Sequence, residues 1–159
     1  MKPEEELQSI CVHKKLTLSL AESCTGGEIA ARITKIPGAS HYFVGGIVAY
    51  TIPVKEELLN VPTDIIRTNT VVSLPVAESM ARGVLNALKT NLSIAVTGIA
   101  GPTGATQAAP VGTVCMAIAD NNKGVKTYRF QFQGDRRSII DQASTKGLQL
   151  LLDYVKVHS

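Results

Sequence analysis

The sequence predicts an α/β fold, a three-layer α/β/α sandwich around a mixed, mostly parallel sheet, in one domain spanning residues 1–159. Of the 159 residues 45% are hydrophobic but only 4% aromatic, and Trp is absent. The core must therefore come from Ile, Val, Leu and Ala, which suit strands covered on both faces. Short apolar runs of strand length alternate with segments of helical period. Turns bearing Gly and Pro separate them, and no repeat, low-complexity stretch or linker divides the chain. A chain this long buries about 70% of its unfolded surface and needs no disulfide or metal staple.

Glu4 to His13 places Leu7, Ile10 and Cys11 at helical spacing, with acids in the first turn where the helix dipole favours them. Leu16 to Ala21 reads as a strand, Glu22 to Gly27 as a polar turn, and Ile29, Ala30 and Ile33 as a helix that Pro37-Gly38 ends. A second strand is expected from Tyr42 to Tyr50. Pro53 opens a short helix and Thr63-Asp64 another. Ser73 caps a long helix whose apolar face is Val76, Met80, Val84, Leu85 and Leu88, ending near Lys89. Ser93 to Val96 is a buried strand that empties into a loop from Thr97 to Gly104. Val111 to Ala119 and Val125 to Phe132 form an antiparallel hairpin around Asn121 to Gly124. Gly134-Asp135 caps a closing helix carrying Ile139, Ile140, Ala143, Leu148, Leu151, Leu152 and Val155.

Composition narrows the function classes. The net charge is only +3, and the basic residues make pairs such as Lys14-Lys15 and Arg136-Arg137 rather than a stripe, so no nucleic-acid partner is expected. Cys11, Cys24 and Cys115 are odd in number and far apart, which fits neither a disulfide framework nor a zinc site. The start MKPEEELQSI is not a signal peptide, and no run approaches the roughly 18 apolar residues of a membrane span. A soluble, unprocessed cytoplasmic protein with no membrane partner is the expectation.

Two glycine-bearing turns follow strands, where open α/β sheets place ligands. In Glu22-Ser23-Cys24-Thr25-Gly26-Gly27 a hydroxyl stands between a strand end and a helix start, where free amides favour negative charge. Two readings stay open there. Ser23 attacks a carbonyl while the amides hold the oxyanion, or Ser23 or Thr25 merely caps the helix. A nucleophile needs a base, and among His13, His41 and His158 only His41 is a candidate. Lys55, five residues after Tyr50, serves instead if burial lowers its pKa from about 10.4 toward 7 or 8, at a cost of about 4 kcal/mol; otherwise it is a solvated surface residue. The loop Thr97 to Gly104 is neither a Walker A loop nor a dinucleotide fingerprint. Its amides form an anion nest or its glycines allow close packing. Arg136 adds guanidinium donors at a helix start, which suit an anion if they face the same cleft; otherwise this is a capped helix with surface arginines. Metal-ligand spacing is missing, so no metal or cofactor is expected.

AESCTGG at Ala21 to Gly27, PGAS at Pro37 to Ser40, Tyr50 with Lys55 beyond it, TGIAGP at Thr97 to Pro102, PVGTV at Pro110 to Val114 and GDR at Gly134 to Arg136 occur in one order. Order and spacing resemble the C-terminal domain of the competence/damage-inducible CinA proteins, including stand-alone nicotinamide-nucleotide amidases, over nearly the whole chain. The resemblance implies an α/β/α domain, often a homodimer, that hydrolyses the carboxamide of nicotinamide mononucleotide to nicotinate mononucleotide and ammonia without metal. It implies Ser23 as nucleophile and Lys55 as base, supported by Tyr50 and Glu22. Thr25, Gly26, Gly27, Ser40, Thr97, Gly98, Gly101 and Arg136 are then the expected substrate-binding residues.

The sequence also departs from that pattern. Relatives read Tyr-Ser-Asn where this chain has Tyr50-Thr51-Ile52, and Ser-Glu where it has Ser73-Leu74. Thr103 and Ala105 replace an acid and a glycine of the loop, and Ile140 an arginine. Each lost polar group costs about 1 kcal/mol or more in binding. An alternative follows: an impaired homologue that binds a nucleotide or a protein without turnover. A third reading has Cys24 as the nucleophile.

Overall fold

The computed structural model describes residues 1–158. Helix α1 (Pro3–Lys14) leads to β1 (Leu18–Glu22) and α2 (Glu28–Thr34); a single 3-10 turn (Ala39–His41) precedes β2 (Phe43–Val48). Three helices follow, α3 (Ile52–Leu59), α4 (Thr63–Asn69) and α5 (Leu74–Leu88), then β3 (Leu92–Gly98), β4 (Thr113–Asp120), β5 (Gly124–Gln131) and α6 (Arg136–Val157). The sheet order is β2-β1-β3-β4-β5. β1 is parallel to β2 and β3, and β4 is antiparallel to β3 and β5. Four strands thus run one way and β4 the other. No described helix is long and apolar enough to cross a membrane.

Strand alternation sends one set of side chains to each outer layer. Leu18, Leu20, Ile94, Val96, Val114 and Met116 meet α1, α2 and α6 on one face. Ala21, Ala95, Cys115, Ala117 and Ala119 meet the other, against Val76, Ala77, Met80, Ala81 and Val84 of α5. The small residues on that second face let α5 lie close, and the Ser93 hydroxyl donates to the Ala81 carbonyl at 2.7 Å. Caps set the helix starts: Ser73 Oγ accepts from the Val76 amide and Asp135 Oδ1 from the Ser138 amide.

Element ends differ from the sequence expectation where pairing overrides composition. Thr97 and Gly98 belong to β3, not to the loop, because they pair with Cys115 and Val114. β2 stops at Val48 rather than Tyr50. β1 and β4 start at Leu18 and Thr113, two residues later than their apolar runs suggest.

Candidate active site

Ser23 stands just past the carboxyl end of β1, and its N–H donates to the Val96 carbonyl of β3 at 2.9 Å. That bond fixes it to the neighbouring strand. The turn that follows is tied down from beneath. Glu22, buried to 2% exposure, accepts the Thr25 hydroxyl at 2.6 Å and the Ile29 and Ala30 amides at 3.0 Å. Those amides open α2, where a carboxylate is favoured by the free N–H groups and the helix dipole. Gly26 N–H donates to the Ser23 carbonyl at 3.1 Å. Among the described residues, the Cys24 and Thr25 amides have no backbone acceptor.

Lys55 comes from the opposite layer. Thr51 is the N-cap of α3 and Pro53 lies in its first turn, which brings Lys55 back against the sheet end at 1% exposure. Its Nζ lies 2.9 Å from Ser23 Oγ, 2.7 Å from the Ala49 carbonyl oxygen and 3.3 Å from that of Tyr50. Burial lowers its pKa from 10.5 to about 8, opposed by the neighbouring Cys24 thiol. A neutral amine has two N–H groups and one lone pair. The two carbonyls take the N–H groups, which leaves the lone pair for the Ser23 hydroxyl proton. Cys24 is unlike it: burial pushes its thiol up to about 12, so it stays protonated at neutral pH.

Ser23 and Lys55 open on a cavity of about 420 Å³ that Tyr50, Thr97, Gly98, Gly101 and Arg136 also line. That size suits a small ligand. Arg136, at the start of α6, donates to the Gly101 carbonyl at 2.8 Å and the Tyr50 hydroxyl at 3.0 Å. It pairs with no carboxylate among the described residues, so its charge faces the cavity uncompensated. Gly98 is there because of close approach: a Cβ on it would lie 2.8 Å from Val114 Cγ2, 2.9 Å from the Thr113 carbonyl oxygen and 3.0 Å from Cys24 Sγ. No group of three or more His, Cys, Asp or Glu among the described residues is placed to hold a metal.

Several expected site residues fall outside the cavity lining. Glu22, Thr25, Gly26, Gly27 and Ser40 do not line this cavity. Glu22 and Thr25 are consumed in holding the turn to α2, and Ser40 is exposed in the 3-10 turn. His41, the candidate histidine base, turns its Nδ1 to the Gly38 carbonyl at 3.0 Å and is exposed. Of the departures from the family pattern, Ile52 and Thr103 line the cavity, while Leu74 and Ile140 do not.

Sequence reasoning missed the segment Thr70 to Val72, which forms another wall. Thr70 has φ 66° and ψ 164°, a strained backbone for a β-branched residue. Two hydrogen bonds hold the segment in place. Ser73 Oγ donates to the Thr70 carbonyl at 2.8 Å, and Thr97 Oγ1 to that of Val71 at 3.1 Å. Only its place just before a helix cap pointed to it.

The model of the CinA C-terminal domain matches residues 1–155. The chain belongs to the CinA C-terminal domain family. A competence-damage inducible protein of Oceanobacillus iheyensis is 40% identical over 98% of this chain, which spans 38% of that protein. A CinA-like protein of Prochlorococcus marinus is 50% identical over 78% of this chain and 28% of its own length. The chain thus spans well under half of these longer relatives. Among solved structures, a CinA superfamily protein of Klebsiella pneumoniae superposes with a TM-score of 0.93 at 26% identity, covering 99% of both chains. The competence/damage inducible protein CihA of Agrobacterium tumefaciens gives 0.88 at 35% identity, covering 96% of each. These CinA neighbours share the five-stranded mixed α/β fold.

Proposed function

We propose that this CinA-family chain is an amidohydrolase that deamidates nicotinamide mononucleotide to nicotinate mononucleotide and ammonia. The observation that carries the reading is the buried Lys55 amine, 2.9 Å from the Ser23 hydroxyl with two carbonyls on its N–H groups. The neutral amine takes the Ser23 proton as Oγ attacks the carboxamide carbon. Backbone amides of the turn after Ser23 receive the oxyanion. The protonated amine returns the proton to the amide nitrogen, the C–N bond breaks and ammonia leaves. Water, deprotonated by the same amine, then hydrolyses the acyl-enzyme and frees Ser23.

The uncompensated Arg136 supports a substrate with an anionic group, such as one phosphate. With no Trp in the chain, Tyr50 is the aromatic wall for a pyridine ring. On the family resemblance we propose a cytoplasmic homodimer as the working unit, with a nucleotide as its small-molecule partner. The non-catalytic alternative drew on lost polar groups, and two of the replacements, Leu74 and Ile140, lie outside the cavity lining. Burial makes Cys24 keep its proton. The test is ammonia release by purified protein from a panel of pyridine nucleotides. Turnover of nicotinamide mononucleotide that vanishes in Ser23→Ala and Lys55→Ala is expected; turnover surviving both substitutions, or none in the wild type, removes the reading.

A further inference from the structure

Gly83 lies in the middle of α5, where glycine weakens a helix and no turn calls for it. A Cβ built on it would fall 2.8 Å from the Leu59 carbonyl carbon and 3.0 Å from the Leu59 Cα, and closer still to the carbonyl oxygen. Backbone cannot yield locally to such a contact. With hydrogen in place of Cβ, the Gly83 Cα–H meets the Leu59 carbonyl as a Cα–H···O contact. Leu59 ends α3, one turn beyond Lys55 on the same face. Lys55 and Leu59 are the two buried residues of that helix.

The two members of the Ser23–Lys55 pair are anchored differently. Ser23 is held in the sheet by its bond to the Val96 carbonyl. Lys55 rides on a two-turn helix whose seat is α5. That seat is firm, because Val76, Ala77, Met80, Ala81 and Val84 are all buried against the sheet and its neighbours. Any atom added between the helices therefore moves α3 rather than α5.

We propose that Gly83 is a positioning residue for the Ser23–Lys55 pair: by letting the Leu59 carbonyl rest against α5, it sets the depth of α3 and so the reach of the lysine amine. Its catalytic meaning rests on the Ser/Lys reading above, whereas the seating is a matter of geometry alone. A methyl at position 83 lifts α3 by on the order of 1 Å, drawing the amine away from Ser23 and the Ala49 carbonyl toward water. The groups facing Lys55 from other elements are Cys24 after β1, Tyr50 before α3 and Arg136 on α6; Glu56 and Glu57 flank it on α3 itself. None of these is altered by the substitution.

The experiment is an NMR titration of protein labelled at the lysine ε-carbons, with Lys55→Met assigning the signal. The wild-type midpoint is expected at about 8. In Gly83→Ala it moves up by about one pH unit or more as solvation returns, and kcat for ammonia release falls about tenfold with KM nearly unchanged. Val84→Ala, which destabilises the same helix without adding an atom toward α3, is expected to leave the midpoint in place. A folded Gly83→Ala protein with the wild-type midpoint overturns the proposal. So does a Gly83→Ala chain that does not fold, because the short helix should yield while the core holds. If wild-type protein releases no ammonia from nicotinamide mononucleotide, the functional reading fails while the titration still decides the role of Gly83.

Discussion

The Lys55 amine lies closer to the Ala49 carbonyl, at 2.7 Å, than to the Ser23 hydroxyl, at 2.9 Å. Ala49 is the first residue past β2, and its own N–H donates to the Glu22 carbonyl at 2.8 Å. The acceptor that orients the amine is thus continuous with the sheet that carries the nucleophile. Orientation of the lone pair follows from backbone and survives changes of side chain around it.

The rate of ammonia release should follow the neutral fraction of Lys55. With the amine titrating at about 8, kcat/KM is expected to rise about tenfold per pH unit below that point and level off above it. A profile measured from pH 6 to 9.5 checks this; a rate that falls across that range contradicts an amine base.

Stability should respond to the same group. The amine loses its proton at about 8 in the folded chain against 10.5 when solvated. Below the lower value both states are protonated and the buried charge costs the fold about 3 kcal/mol. Between the two values the unfolded state binds more protons, so stability rises with pH. The stability of the wild type relative to Lys55→Met, measured by urea unfolding, is expected to rise between pH 7 and 10.5; the difference is the readout because the buried Cys11 and Cys24 thiols, pushed up to about 12, lower the stability of both proteins over the same range.

Local rules made much of this protein legible. Ser73 and Asp135 announced their helices because capping involves residues three apart, and the alternation of strand runs with helical periods fixed the layers. Ser23 was visible for the same reason, as a hydroxyl at a strand-to-helix turn. Lys55 was not decidable from its neighbours, since its burial depends on α5 and on a sheet edge distant in sequence. Glu22 was read as a site group, but its carboxylate is spent on amides seven and eight residues on. Gly83 showed only as a glycine inside a helical stretch, because the carbonyl it makes room for belongs to another helix.

Glu22 is expected to matter to the fold rather than to the chemical step. Glu22→Ala leaves two α2 amides and the Thr25 hydroxyl without their acceptor, a loss of about 2–3 kcal/mol for bonds to a buried charged group. Denaturant unfolding measures it directly.

Relief of strain gives a change of opposite sign. Thr70→Gly should raise stability by about 1 kcal/mol, since release of an unfavourable backbone outweighs the greater freedom of glycine in the unfolded chain. Thermal unfolding is the measurement, and a lower Tm would show that the Thr70 side chain holds the segment.

Cys24→Ala is expected to keep ammonia release within about threefold of wild type, because the protonated thiol lines the cavity without attacking. A loss of about a thousandfold would make the thiol the nucleophile.

The cavity draws Arg136 from the layer of α1, α2 and α6, and Lys55 from the layer of α3, α4 and α5, with Ser23 at the sheet end between them. Neither half of the sandwich contains a working centre by itself. During refolding, the return of turnover therefore reports the moment when both halves have closed on the sheet, whereas helical circular dichroism reports either half alone.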